Sequence, residues 1–168
     1  SGKINNYQSL LNAYSESIVE EAKKNKKIVA LDGDLILDTG LINFEKEFPE
    51  RFIECGIAEQ DMVSQAGSFA TEGYIPIVHS FSSFLTSRPN EQIYNNSTEN
   101  TKIIYSGFLA GLLPGGPGHS HQAVRDIASM SGINNLEMIQ PNSEKQVKEF
   151  LNYSIKSPNN IYLRFCSI

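Results

Sequence analysis

Phe52-Ile53-Glu54-Cys55-Gly56-Ile57-Ala58-Glu59-Gln60 reads as a strand-like segment, a glycine turn and the start of a helix. The helix it opens, Ala58 to Thr71, repeats Ala58, Met62, Ala66 and Ala70 on one face and ends at Glu72-Gly73. A carboxylate, Glu59, therefore stands at a helix start directly after a strand. The next strand is expected over Tyr74 to His79, with two aromatics of Phe81-Ser82-Ser83-Phe84 just beyond it. A carboxylate after one strand and an aromatic pair just beyond the next read as half of a cofactor site.

The same alternation continues in both directions. Residues 7 to 24 carry Tyr7, Leu10, Leu11, Tyr14, Ile18 and Ala22 at helical spacing, and Lys27 to Leu31 reads as a buried strand closed by Asp32-Gly33-Asp34. Phe44 to Phe48 is a short helix stopped at Pro49. A polar helix is expected over Phe84 to Asn96, interrupted at Pro89. Strands are expected at Arg51 to Glu54, Lys102 to Ser106, Leu136 to Ile139 and Asn160 to Phe165. A Gly/Pro-rich loop runs from Gly107 to Ser120, and helices follow at Gln122 to Ser131 and, capped by Asn142-Ser143, at Glu144 to Ile155. Alternating strands and helices with short connections imply a parallel sheet with helices on both faces. Ligands of such sheets sit at the carboxyl ends of the strands. There lie the segments Asp32 to Thr39, Glu54 to Glu59, His79 to Phe84 and Gly107 to His121.

Composition removes several function classes. The 168 residues suit one domain, without repeat or linker. With 14 basic and 19 acidic residues the net charge is −5, which argues against nucleic acid or an anionic membrane as partner. The basic run Lys23-Lys24-Asn25-Lys26-Lys27 reads as a solvated helix C-terminus. Cys55 and Cys166 are too few for a disulfide framework or a four-thiolate zinc site, so a reduced cytoplasmic setting is expected. No apolar run is long enough to span a bilayer. Ser1-Gly2 without Met reads as a tag remnant or the cut edge of a longer polypeptide.

Several motifs occur in a fixed order: Asp32-Gly33-Asp34-Leu35, Pro49-Glu50-Arg51-Phe52, Gly56-Ile57-Ala58-Glu59-Gln60, Gly73-Tyr74-Ile75-Pro76, Phe81-Ser82-Ser83-Phe84, Arg88 with Glu91-Gln92, and His121-Gln122. The set resembles the pyrimidine-binding domain of the transketolase family of thiamine diphosphate enzymes, over nearly the whole chain. The resemblance implies a three-layer α/β/α fold with a mostly parallel six-stranded sheet. It also implies that Glu59 hydrogen-bonds N1′ of the aminopyrimidine, favouring the 4′-imino form that removes the C2 proton of the thiazolium. By the same resemblance Phe81 and Phe84 line the pyrimidine pocket, with Phe84 as the stacking ring, and Asp34 lies close to the cofactor. His121 meets the substrate and handles protons with His119 as its neighbour, and Arg164 binds substrate phosphate through its fork of donors.

Read on their own, these residues also have plainer roles. Glu59 suits a helix start, Phe81 and Phe84 suit a core, Asp34 suits an Asx turn, and Arg164 suits a surface ion pair. His119 and His121 have no evident third ligand, so no metal is expected on this chain.

The sequence departs from the family pattern near Phe108, Asp38 and Ser87 and at Gly115 to Pro117. These differences point toward a ketol or acyl transfer with an altered acceptor. No Gly-Asp-Gly is present, so the diphosphate and its Mg²⁺ are expected on a separate diphosphate-binding domain, in a homodimer or heteromer. Three readings follow. The first is a transketolase-like transfer of a two-carbon ketol unit between sugar (phosphate) substrates. The second is a 2-oxo acid dehydrogenase beta subunit or a deoxyxylulose-phosphate synthase-like enzyme. The third is a non-catalytic assembly module.

Overall fold

Every strand of the sheet runs in the same direction. The computed structural model describes residues 9–112 and 116–166. Tyr7, the Ser1-Gly2 start and Gly115 lie outside these residues. In chain order the elements are α1 (Ser9–Lys24), β1 (Ile28–Asp32), α2 (Ile42–Glu47), β2 (Phe52–Glu54), α3 (Glu59–Thr71), β3 (Ile75–Phe81), α4 (Ser82–Leu85), α5 (Asn90–Thr98), β4 (Ile104–Ala110), α6 (Asp126–Met130), β5 (Leu136–Ile139), α7 (Glu144–Lys156) and β6 (Asn160–Cys166). A 3-10 turn, Pro49–Arg51, leads into β2. The strand order is β2-β1-β3-β4-β6-β5.

Successive residues of a strand point to opposite faces, so each strand feeds two cores. Ile28, Ala30, Ile77, Ile104, Ile161 and Leu163 pack under α1, α2 and α7 with Tyr14, Ile18, Phe44, Val147 and Leu151. Val29, Leu31, Val78, Tyr105 and Tyr162 pack on the other face with Met62, Val63, Leu85, Ile93 and Met130. The three-layer architecture expected from alternation is the one observed.

Several boundaries differ from expectation, each for a local reason. β3 runs to Phe81 rather than His79, because its register with β4 continues through Phe81↔Phe108. Phe81 is therefore the last strand residue, not a residue beyond the strand. β4 likewise extends to Ala110, past the Gly107 where a loop was expected. The expected polar helix over Phe84 to Asn96 is two helices, since Pro89 allows no continuous ladder. The helix expected at Gln122 to Ser131 shrinks to Asp126–Met130, because Ala123 instead exchanges backbone bonds with Gly111. Lys23 and Lys24 do lie in the last turn of α1, whose terminal carbonyl of Ala22 accepts from Arg51 Nη1 at 3.1 Å.

A polar chain runs through the first core. Nδ1 of His79 lies 3.0 Å from the Leu31 carbonyl, which can only accept, so Nδ1 carries the proton. Nε2 then accepts from the Tyr14 hydroxyl at 2.7 Å, and Tyr14 accepts from Ser106 Oγ at 3.1 Å. All three side chains are fully buried. The chain ties α1 to β1, β3 and β4. Among the described residues no helix is long and apolar enough to cross a membrane.

Candidate active site

The connection after β1 passes through α2 on one face, and the connection after β3 passes through α4 and α5 on the other. β1 and β3 are neighbours, so a crevice opens at their carboxyl ends, the position where open α/β sheets bind ligands. The turn after β1 is built by Asp32, whose buried carboxylate accepts from Leu35 N at 2.6 Å and Thr39 Oγ1 at 2.8 Å. Burial pushes its pKa up to about 6. Glu54, at the end of β2, ties this turn to the next. Its Oε1 accepts from Asp34 N at 2.9 Å and Gly56 N at 2.7 Å. Asp34 and Gly56 both hold positive φ, 63° and 68°, and an Asp tolerates that conformation as few side chains do. Asp34 itself is exposed at the mouth of the crevice.

Gly56 then turns the chain into α3, and Glu59 is the first residue of that helix, 2% exposed. The helix start favours its negative charge. The carboxylate has a counter-ion: Arg88 Nη1 donates to Glu59 Oε1 at 2.5 Å. The same guanidinium sits over the face of Phe84, its Cζ 3.8 Å from the ring centre. The edge of His121 meets Phe84 with ring centres 5.0 Å apart, and Phe81 lies 5.7 Å from Phe84 and 6.1 Å from His121. Glu59, Phe81, Phe84 and His121, named from the sequence, thus form one cluster, with Arg88 at its centre. Asp34 stands outside it, tied through Glu54 to the Gly56 turn that precedes α3.

His119 is exposed and lines a separate cavity of about 390 Å³ together with Ser83, Thr86, Gln122, Arg125 and Asp126. Ser83 Oγ is buried there without a hydrogen-bond partner among the described residues. Arg164 points at Asp126 rather than outward. Its Nε donates to Asp126 Oδ2 at 2.6 Å, and the Tyr162 hydroxyl donates to the same oxygen at 2.8 Å. Asp126 is 3% exposed. Among the described residues no three His, Cys, Asp or Glu side chains converge as a metal site.

Arg88, Asp126 and Glu54 escaped the sequence reading as site-building residues. Arg88 stands in one of the ordered motifs, and nothing in its neighbours announces a partner 29 positions upstream. Gly107 has a steric reason. A Cβ there would come within 2.6 Å of Ser82 Oγ and 2.7 Å of the Tyr162 ring. Gly107→Ala should therefore cost about 1–3 kcal/mol in urea unfolding. An unchanged midpoint and slope would mean that Tyr162 has room to move.

A parallel α/β sheet with a buried carboxylate and an aromatic cluster at its switch point defines an α/β ligand-binding domain. The chain belongs to the transketolase pyrimidine-binding domain family, whose model matches residues 7–167. The family is thiamine diphosphate-dependent. A putative transketolase C-terminal section from Methanocaldococcus jannaschii is 37% identical over 161 residues, 94% of this chain and 50% of that protein. A 1-deoxy-D-xylulose-5-phosphate synthase from Natranaerobius thermophilus is 32% identical over 152 residues, 90% of this chain and 24% of that protein. A solved structure described as a split gene transketolase in an inactive beta4 tetramer superposes with TM-score 0.80 at 32% identity, over 93% of this chain and 51% of that one. The chain thus spans between a quarter and a half of the length of these relatives.

Proposed function

We propose that this chain is the pyrimidine-binding module of a thiamine diphosphate enzyme that transfers a two-carbon ketol unit, and that it works with a separate diphosphate-binding domain, on the same polypeptide or on another. The observation that carries the reading is the pairing of a buried Glu59 with a flat cation stacked on Phe84. That seat takes a planar ring with a basic nitrogen on its edge that can share a proton with the carboxylate, which is what an aminopyrimidine presents. In it Glu59 holds a proton at the ring nitrogen, Phe84 and Phe81 supply the apolar wall that excludes water, and His121 stands at the substrate side of Phe84. The bound cofactor supplies a carbon nucleophile for attack on a carbonyl. His119 and Asp126 line the cavity in which a sugar phosphate would be held, and Arg164, bonded to Asp126 behind that lining, would supply the fork of donors for the phosphate.

The partner domain would bring the diphosphate site and its Mg²⁺. Two facts favour it. The chain matches only part of its relatives, one described as a C-terminal section and another as a split gene product. Five exposed large apolar residues, Leu37, Ile57, Leu112, Val124 and Ile127, lie in the segments that follow the carboxyl ends of β1, β2 and β4. In the cytoplasm Cys55 and Cys166, both free thiols here, would stay reduced.

Calorimetry tests the assembly. Thiamine diphosphate with Mg²⁺ should bind the complex of this chain with its diphosphate-binding partner and bind neither component alone with comparable affinity. A complex that takes up no cofactor would leave the chain a non-catalytic assembly module. The likeness to a 1-deoxy-D-xylulose-5-phosphate synthase supports a second reading in which a 2-oxo acid is the donor. Product formation from pyruvate but not from ketose phosphates would select it.

A further inference from the structure

The side chain that fills the proposed pyrimidine seat belongs to the protein. Arg88 makes both contacts that seat offers: an edge hydrogen bond to Glu59 Oε1 at 2.5 Å and a face contact with Phe84 at 3.8 Å. A guanidinium is flat, delocalised and rimmed with N–H donors, so it satisfies the same carboxylate and the same ring face as a protonated aminopyrimidine. The two occupants exclude one another.

We propose that Arg88 is a built-in placeholder and that cofactor binding is an exchange, in which the pyrimidine displaces the Arg88 guanidinium from Glu59 and Phe84. The inference rests on the cofactor reading of that seat. Three further observations carry it. Glu59 is almost fully buried, and an ionised carboxylate there without a counter-charge is strongly destabilising. An ionised Glu59 therefore needs a cation beside it, and Arg88 supplies one. Arg88 is also free to leave. Its side chain is 38% exposed, and its backbone lies in the short connection between α4 and α5. Glu59 is its only side-chain hydrogen-bond partner among the described residues. Finally, the exchange leaves no group unsatisfied, because a proton taken up from solvent on binding is shared between the ring nitrogen and the carboxylate as the guanidinium moves into solvent.

A placeholder scales apparent cofactor affinity by the fraction of molecules whose seat it leaves open, about one in ten for a tenfold loss. Arg88→Ala, in this chain assembled with its diphosphate-binding partner, should thus bind thiamine diphosphate about tenfold more tightly by calorimetry, about 1.4 kcal/mol. The unliganded chain should unfold at lower temperature, since Glu59 loses its counter-ion. Arg88→Lys, which keeps the charge but not the flat stack, should fall between the two and serves if the alanine variant folds poorly. A direct readout needs no turnover. The side-chain N–H resonances of Arg88 should be ring-current shifted by Phe84 in the unliganded complex and return to ordinary positions when thiamine diphosphate and Mg²⁺ are added. Unchanged or weaker binding in the variants, or Arg88 resonances that do not move, would overturn the exchange while leaving the cofactor site in place. No binding by the unsubstituted complex would overturn the cofactor reading itself.

Discussion

Glu59→Gln, tested in the assembled enzyme, should slow hydrogen–deuterium exchange at C2 of bound thiamine diphosphate by about 10²–10⁴-fold. Gln keeps the size of the side chain and can still hydrogen-bond a ring nitrogen, but it cannot hold the shared proton. Packing around α3 should survive, because Met62, Val63 and Ala66 carry the contact of that helix with the sheet. The substitution also removes the counter-ion of Arg88, whose half-exposed guanidinium can turn to water. Stability should consequently change much less than exchange does. Exchange at the unsubstituted rate would remove Glu59 from the chemistry and return it to the plainer role of a charge at a helix start.

The second large effect is on stability, and it comes from two buried groups that respond to acid in opposite directions. Burial lowers the pKa of His79 from 6.5 to about 4. Its contribution is complete above 6.5 and is lost as pH falls toward about 4, because the unfolded chain takes up a proton that the core refuses. Burial raises the pKa of Asp32 from 3.8 to about 6. Its contribution is complete below 3.8 and is lost as pH rises through about 6. Each shift exceeds two pH units and corresponds to about 3 kcal/mol. Over pH 6.5 to 4 the two nearly cancel in the unsubstituted protein.

Single substitutions separate them. His79→Gln, which can still accept from Tyr14 and donate to Leu31 O, should gain about 3 kcal/mol relative to its own neutral value on acidification through this window. Asp32→Asn, which can still accept from Leu35 N, should lose about as much. Urea unfolding at several pH values reads both slopes. Parallel profiles for the two variants would show that neither group carries its shift.

The fold was legible because it is written in short-range patterns. Strand and helix segments alternate, each with a period that its neighbours do not disturb, and the two faces of β1 can be read from Ile28, Val29, Ala30 and Leu31 alone. Where a boundary failed, long-range pairing had overridden local character. Gly107 looks like a loop residue, yet β3 and β6 hold it in a strand. His79 looks like the end of a strand, yet it lies inside one, with both ring nitrogens bonded in the core. The resemblance carried by the ordered motifs identified the family. Glu59, Phe81, Phe84 and His121 then met in one place, because each sits at the carboxyl end of a strand or in the segment that follows one.

The sequence by itself therefore determined the layer architecture, the family and the end of the sheet where the candidate site residues gather. Only the tertiary structure decided what occupies that end. Arg88 with Glu59, Arg164 with Asp126, and Tyr14 with His79 and Ser106 are partners separated by 29 to 92 positions. A hydrogen bond or ion pair between such residues depends on distances of a few ångströms, and those distances exist only after the strands have paired. The carboxylate in Phe52 to Gln60 is visible in the chain; the guanidinium that holds its place is visible only in the fold.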